Sequence, residues 1–272
     1  MNEATTPTPE TSRNPNFRSP GFNNIAPYFL VEGAPRFLDF LVFAFEATER
    51  IRVPRPDGSI MHAGVAIGDS DVIELGDASE QYPSRPMTTH LYVPDAHAAY
   101  GRALQAGATS IHPPMDDHPS GDRWGAIIDP FGNTWFIATP RGWVPGPEGL
   151  RTVQPYLYLR EAHKMIPFAE AAFGANTGGV AKSAEGVVLH ATIEIAGATF
   201  EVAEAHGEFQ PSAHYLHAYV PDTDATNSRA LAAGAAGMTP PANAPYGDRA
   251  ATVKDPFGNT WFLATYLGAG EP

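Results

Sequence analysis

The sequence predicts an α+β protein of two tandem domains. Each is a pair of βαβββ modules forming a curled mixed sheet around a cleft, with helices on the outer face. Three observations predict it. The first is an internal repeat, the feature to seek before any fold assignment. Asp129-Pro130-Phe131-Gly132-Asn133-Thr134-Trp135-Phe136 recurs as Asp255-Pro256-Phe257-Gly258-Asn259-Thr260-Trp261-Phe262, and Gly121-Asp122-Arg123 recurs as Gly247-Asp248-Arg249. His90-Leu91-Tyr92-Val93-Pro94-Asp95 returns as His217-Ala218-Tyr219-Val220-Pro221-Asp222, and Pro27-Tyr28 as Pro155-Tyr156. The second is period-two alternation in short apolar runs, and the third is one amphipathic helix after the first strand of each unit. The repeat divides the chain into a disordered leader (1–23), a first domain (24–140), a linker (141–151) and a second domain (152–268).

Within the first copy, residues 28–31 read as a strand. Phe37, Leu38, Leu41 and Phe45 then fall on one face of a helix over 35–47. Met61, Ala63, Val65 and Ile67 alternate as a strand with one buried face, and residues 72–75 return as its hairpin partner. A second unit opens on the strand 89–93. Asp95 caps a helix that buries Ala96, Ala99, Tyr100 and Ala103, and Gly107 closes it. Pro130 and Gly132 make the tight turn between the last two strands. The second copy repeats this order.

The bulk composition narrows the function. The 272 residues carry a formal net charge of −13, which repels a phosphate backbone and argues against nucleic acid. There are no cysteines, so disulfides and thiolate metal sites are excluded. No apolar run approaches the roughly 18 residues of a membrane span, and the N-terminus lacks the apolar region of a secretory signal. A cytoplasmic protein, monomeric or homodimeric, with a small-molecule ligand or substrate and no membrane partner, is the expectation.

The βαβββ pairs, the strand-Val-Pro-Asp-helix-Ala-Gly-Ala segment over 91–108 and the Asp-Pro-Phe-Gly-Asn-Thr-Trp-Phe hairpin resemble the glyoxalase/bleomycin-resistance/extradiol-dioxygenase superfamily, the vicinal oxygen chelate fold. The resemblance covers nearly all the chain outside leader and linker, and implies a cleft in each curled sheet. Its metal enzymes draw ligands from the first, fourth, fifth and eighth strands. The resemblance places these at Ala26, Glu74, Thr88 and Phe136 in one copy, and at Gln154, Glu201, Tyr215 and Phe262 in the other. Those side chains predict no metal at the usual family position. No cofactor is expected; a displaced divalent ion (Zn, Fe, Ni or Mn) is the alternative.

Strand parity nominates the cleft residues, because successive side chains point to opposite faces. His62 and His190 oppose the apolar sets of their strands, as Glu74 and Glu201 do of theirs. Thr88, His90 and Tyr92 share one parity, as do Tyr215, His217 and Tyr219. The candidate chemical groups are therefore His62, Glu74 and His90 in one cleft and His190, Glu201 and His217 in the other. Two imidazoles and a carboxylate suit metal ligation, acid–base work or plain polar packing. Tyr28, Tyr92, Tyr156, Tyr215, Tyr219 and Trp124 are the candidate aromatic walls. Arg123 and Arg249 are placed at the cleft mouths as clamps for an anionic substrate. His97, His112, His118, His163, His206 and His214 are assigned to the surface. The functional expectation is a small-molecule binder of the bleomycin-resistance kind. The alternative is a lyase, isomerase or dioxygenase acting through the cleft His and Glu residues.

Overall fold

The computed structural model describes residues 17–68, 71–116, 121–142 and 153–268. They form four βαβββ modules. The first holds β1 (Ile25–Val31), α1 (Ala34–Phe45), β2 (Thr48–Pro54), β3 (Ile60–Ile67) and β4 (Asp71–Asp77). The second holds β5 (Thr88–Tyr92), α2 (Ala96–Gln105), β6 (Thr109–Met115), β7 (Arg123–Ile128) and β8 (Thr134–Thr139). The third holds β9 (Val153–Leu159), α3 (Met165–Phe173), β10 (Asn176–Lys182), β11 (Val188–Ile195) and β12 (Ala198–Glu204). The fourth holds β13 (Tyr215–Tyr219), α4 (Thr223–Ala232), β14 (Ala236–Asn243), β15 (Asp248–Lys254) and β16 (Thr260–Tyr266).

Each sheet is a pair of modules, but the pair is drawn from both repeats. One eight-stranded sheet runs β14-β15-β16-β13-β1-β4-β3-β2, and the other β10-β11-β12-β9-β5-β8-β7-β6. The seams are antiparallel: β1 lies beside β13 with Ala26 opposite His217, and β5 beside β9 with His90 opposite Gln154. The repeat is nevertheless the packing unit. The main apolar cluster of the first copy joins Phe29, Phe37 and Leu41 to Leu91, Trp135 and Ile137, with Phe29 and Trp135 stacked at 5.3 Å. So the convex faces of two modules of one repeat pack with α1 and α2, while their concave faces belong to different sheets.

Local chemistry sets these elements. Gly33 takes φ 84°, where a side chain would be strained, and turns the chain from β1 into α1. The Asp77 carboxylate accepts from the Gly33 and Ala34 amides at 2.9 Å each, satisfying the start of the helix. Asp95 and Asp222 cap α2 and α4 by accepting from Ala98 and Ala225 amides at 3.0 and 2.9 Å. The repeated hairpin is explained by its aspartate. Asp255 accepts from the Phe257 and Asn259 amides at 2.9 Å, from Asn259 Nδ2 at 2.8 Å and from Trp261 Nε1 at 2.9 Å. Asp129 does the same for Phe131, Asn133 and Trp135. Four donors on one buried carboxylate make this motif architectural.

Two expectations need correction. Met61 and Leu189 share the parity of the buried set yet are half exposed, because they stand at strand starts beyond the helices' cover; Ile60 and Val188 are buried instead. The leader also begins to pack earlier than expected. The Phe17 carbonyl accepts from the Tyr266 amide at 2.8 Å, Phe22 meets Tyr219 edge-on at 6.2 Å, and Asn23 is buried. Residues 1–16 and most of the linker lie outside the described residues. No helix among the described residues is long and apolar enough to cross a membrane.

Candidate functional site: two clefts shared between the repeats

The exchange of modules re-sorts the candidate residues. The expected sets were His62/Glu74/His90 and His190/Glu201/His217; the observed sets are His62/Glu74/His217 and His190/Glu201/His90. Parity fixed which face each side chain occupies, and that face is as expected. It carried no information on which strands become neighbours across the seam.

In the first cleft, Glu74 on β4 and His217 on β13 reach over β1, and His217 Nδ1 lies 2.5 Å from Glu74 Oε1. Both side chains are buried, at 3% and 13% exposure. Burial pushes the Glu74 carboxyl up, but the charge and hydrogen bond of His217 outweigh it and leave it below the ordinary range. Burial likewise opposes protonation of His217, and Glu74 overcomes that, raising the imidazole. Each group thus favours the charged form of the other. His62 stands nearby with Nδ1 3.3 Å from the Tyr28 hydroxyl, and burial lowers its pKa. Tyr219 donates to Asp248 Oδ2 at 3.1 Å. Burial, chiefly, raises Asp248 above the usual carboxylate range. Tyr28 packs edge-on against Phe262 at 5.3 Å.

The second cleft repeats the pair with a different wall. His90 Nδ1 lies 3.0 Å from Glu201 Oε2, and His190 Nε2 lies 3.8 Å from Glu201 Oε1. Burial raises the Glu201 carboxyl, but His90 and His190 together bring it down to about 2. His90 stacks on Tyr92 at 4.2 Å. Tyr156 and Tyr158 lie 4.9 Å apart, and Phe209 lies flat on Tyr158 at 4.9 Å. Phe136, Tyr156, Tyr158, Ala126 and Ala203 form a small apolar cluster of their own, with Trp124 and Phe209 against it.

The remaining candidates divide. Tyr28 and Tyr219 line the first cleft; Tyr92, Tyr156 and Trp124 line the second. Tyr215 backs the first cleft from beneath: it is almost fully buried, lies flat over Phe262 at 6.2 Å, and its hydroxyl donates to the Pro83 carbonyl at 2.9 Å. Arg123 and Arg249 are not cleft clamps. Arg249 forks onto Asp224 of α4 at 2.7 Å through both Nε and Nη2, and Arg123 is ion-paired with Asp116. On β15, Arg249 shares parity with buried Ala251 and Val253, whereas Asp248, Ala250 and Thr252 face the cleft. Asp248 is therefore the cleft residue missed, and applying the parity rule to this strand finds it.

His214 also departs from expectation. It is fully buried at the junction of the repeats, where Nε2 accepts from the Thr88 amide at 3.3 Å and meets Ser212 Oγ at 3.0 Å. Burial holds its pKa down to about 3. Above its ordinary 6.5 the ring is neutral in folded and unfolded chains alike. As pH falls below that value only the unfolded chain takes the proton, so the contribution to stability is lost progressively toward the folded value. Urea midpoints should drop between pH 7 and pH 4.5, and less steeply in His214→Met, which copies the equivalent Met87. Parallel pH profiles for the two proteins would refute this role. His97 and His112 are exposed in pairs with Asp116 and Glu208, His163 and His206 are exposed, and His118 lies outside the described residues.

The Glyoxalase/Bleomycin resistance protein/Dioxygenase superfamily model matches residues 24–137. An uncharacterized protein of Mycobacterium bovis is 37% identical over 126 residues, covering 43% of this chain and 82% of that protein. The chain belongs to this superfamily. Glyoxalase I from Zea mays superposes with a TM-score of 0.68 at 15% identity, covering 88% of this chain and 92% of that one. A putative dioxygenase from Bacillus subtilis does so at 0.57 and 14%, covering 90% and 85%. These likenesses show the fold.

In the observed register His217 lies level with Ala26 and Phe262, and His90 level with Gln154 and Phe136. The sets gathered around the two carboxylates are Ala26/Glu74/His217/Phe262 and Gln154/Glu201/His90/Phe136. Neither fits a divalent ion. The carboxylate of each set is engaged by the imidazole Nδ1, and the eighth-strand donor is a phenyl ring. In the second cleft, His90 Nε2 and Gln154 Oε1 are buried without a partner. An imidazole nitrogen and an amide oxygen with no free carboxylate beside them suit a ligand hydroxyl or water better than a divalent cation. A separate surface groove of about 840 Å³ beside α3, lined by Lys164, Phe168, Pro211 and Phe257, holds none of these groups.

Proposed function

We propose that this protein is a small-molecule binder of the glyoxalase/bleomycin-resistance type, acting in the cytoplasm without a metal at the usual superfamily position. The observation that carries the reading is the buried His–Glu pair in each cleft, contributed from both repeats and walled by tyrosines, with Ala26 and Phe262 or Gln154 and Phe136 at the other ligand positions. A hydrogen-bonded imidazole and carboxylate in an apolar recess fix the orientation of a ligand's polar group, while the rings take its flat, apolar part. The expected ligand is thus small and partly aromatic, with at least one hydrogen-bonding group.

A second reading, acid–base turnover, is favoured by one observation. Around Glu74 the first cleft gathers His62, whose pKa burial lowers, and His217, whose pKa the carboxylate raises, two groups whose surroundings push their pKa values apart, as an acid and a base require. One experiment separates binder from metal enzyme. Protein purified without chelators is assayed for Zn, Fe, Ni and Mn, then screened with a set of hydroxylated aromatic fragments by ligand-observed NMR. Metal far below one per chain and fragment binding that weakens in His62→Ala are expected. Near-stoichiometric metal, or fragment binding indifferent to His62→Ala and His190→Ala alike, would overturn the proposal.

A further inference from the structure

The two clefts are filled differently at one end of their floors. In the second cleft, Gln154 on β9 donates through Nε2 to Thr199 Oγ1 on β12 at 2.9 Å. On β11, Thr192 stands opposite Glu201, two residues along from Thr199. In the first cleft the equivalent residues are Ala26, Val72 and Gly64, all short and apolar. A Cβ added at Gly64 would come within 3.7 Å of the Phe22 ring, and that ring also meets Tyr219 at 6.2 Å. Phe22 therefore lies on the concave face of the first sheet, between β3 and β13. It arrives there from the segment 17–23, which runs across the sheet from Tyr266.

The wall differs in the same sense. Trp124 packs on Phe136 at 5.4 Å in the second cleft, and its equivalent in the first is Ala250. Tyr158 of the second cleft is Leu30 in the first. The second cleft is closed by Trp124 and by Phe209 of the loop after β12, whereas the first carries Phe22 of the segment that precedes β1. The attachment of that segment is incomplete. Asn23 Nδ2 and Asn24 Oδ1 are buried without partners, and groups left so favour an alternative in which they are satisfied.

Resting on the small-molecule reading above, we infer that the first cleft is the working ligand site, and that its ligand carries a planar aromatic group which takes the place of Phe22. The segment 17–23 is then a displaceable internal occupant. The Gly64/Ala26/Val72 floor selects a flat ring, and the His217–Glu74 pair beyond it receives the ring's polar substituent.

Phenol is a sufficient probe, added to the full-length chain and followed by calorimetry and amide hydrogen exchange. The Tyr266 amide, held by the Phe17 carbonyl at 2.8 Å, should exchange faster when phenol binds. The Tyr219 amide, held by the Asn24 carbonyl at 2.8 Å, reports that the sheet stays intact. If the occupied state is nine-tenths of the population, Phe22→Ala should tighten phenol binding about tenfold. The double variant Ala26→Gln with Val72→Thr, which copies the Gln154–Thr199 floor, should abolish it. Phenol binding unchanged by Phe22→Ala and by the floor variant would overturn this inference and leave the small-molecule reading standing. Absence of phenol binding even in Phe22→Ala would also overturn it, while the fragment screen judges the broader reading by itself.

Discussion

His217→Phe will destabilise the protein by about 3–5 kcal/mol, the usual cost of stranding one partner of a buried ion pair. Glu74 is almost fully buried and would be left without its counter-charge, so it must take up a proton or admit water. Adding Glu74→Leu should recover much of the loss, because two apolar side chains replace two desolvated charges. The pH dependence carries the same signature. The raised His217 contributes stability that is complete below its ordinary 6.5 and is lost as pH rises through its folded value. The lowered Glu74 contributes stability that is complete above its ordinary 4.5 and is lost as pH falls. The pair therefore supports the fold fully between those two values, and the double variant should lessen the fall in stability on either side of them. Urea titrations carried beyond both values test it; a single variant within 1 kcal/mol of wild type, on the scale of an exposed pair, would sink the claim.

Asp255→Ala is expected to cost about 4 kcal/mol, since each buried donor left unpaired costs roughly 1–3 kcal/mol and water recovers part of it. The stranded donors are the Asn259 amide, Asn259 Nδ2 and Trp261 Nε1. Because Asn259 Oδ1 in turn accepts from the His214 amide at 2.9 Å, the damage should spread into the junction of the repeats. Trp261 fluorescence should shift on unfolding at a lower urea concentration. Asp129→Ala should behave alike through Trp135, and the two losses should add, because the hairpins share no partner. A variant that unfolds at the wild-type midpoint would deny the carboxylate this role.

The fold was legible because the repeat is identical where architecture demands identity. Asp129 and Asp255 each accept from four donors. Strand parity was legible for the same reason, and it placed His62, Glu74, His90, His190, Glu201 and His217 on concave faces. What the chain does not spell out is which edge meets which. The β1–β13 and β5–β9 seams are made by backbone groups, which every residue carries. Ala26 opposite His217 has no side-chain signature, so the grouping of the six residues depended on information absent from composition or period. The arginines failed differently. An Asp-Arg pair offers two charges on opposite faces, and the burial of Ala251 and Val253 decides that Arg249 faces α4 while Asp248 faces the cleft. The closing of the first cleft by Phe22 was hidden in a stretch whose Pro, Ser and Asn content reads as loose.

The exchanged seams bear on how such a chain changes over generations. A protein holding one repeat could complete a cleft only by meeting a second copy, and both clefts would then be identical by symmetry. Any substitution would appear twice, once in each, and assembly would depend on concentration. Joining two repeats in one polypeptide makes the encounter intramolecular and breaks the symmetry. Ala26 can then differ from Gln154, and Ala250 from Trp124, so that the two recesses take different linings. Yet neither recess belongs to a single repeat. A lesion in either half reaches both, and the two copies must diverge as partners.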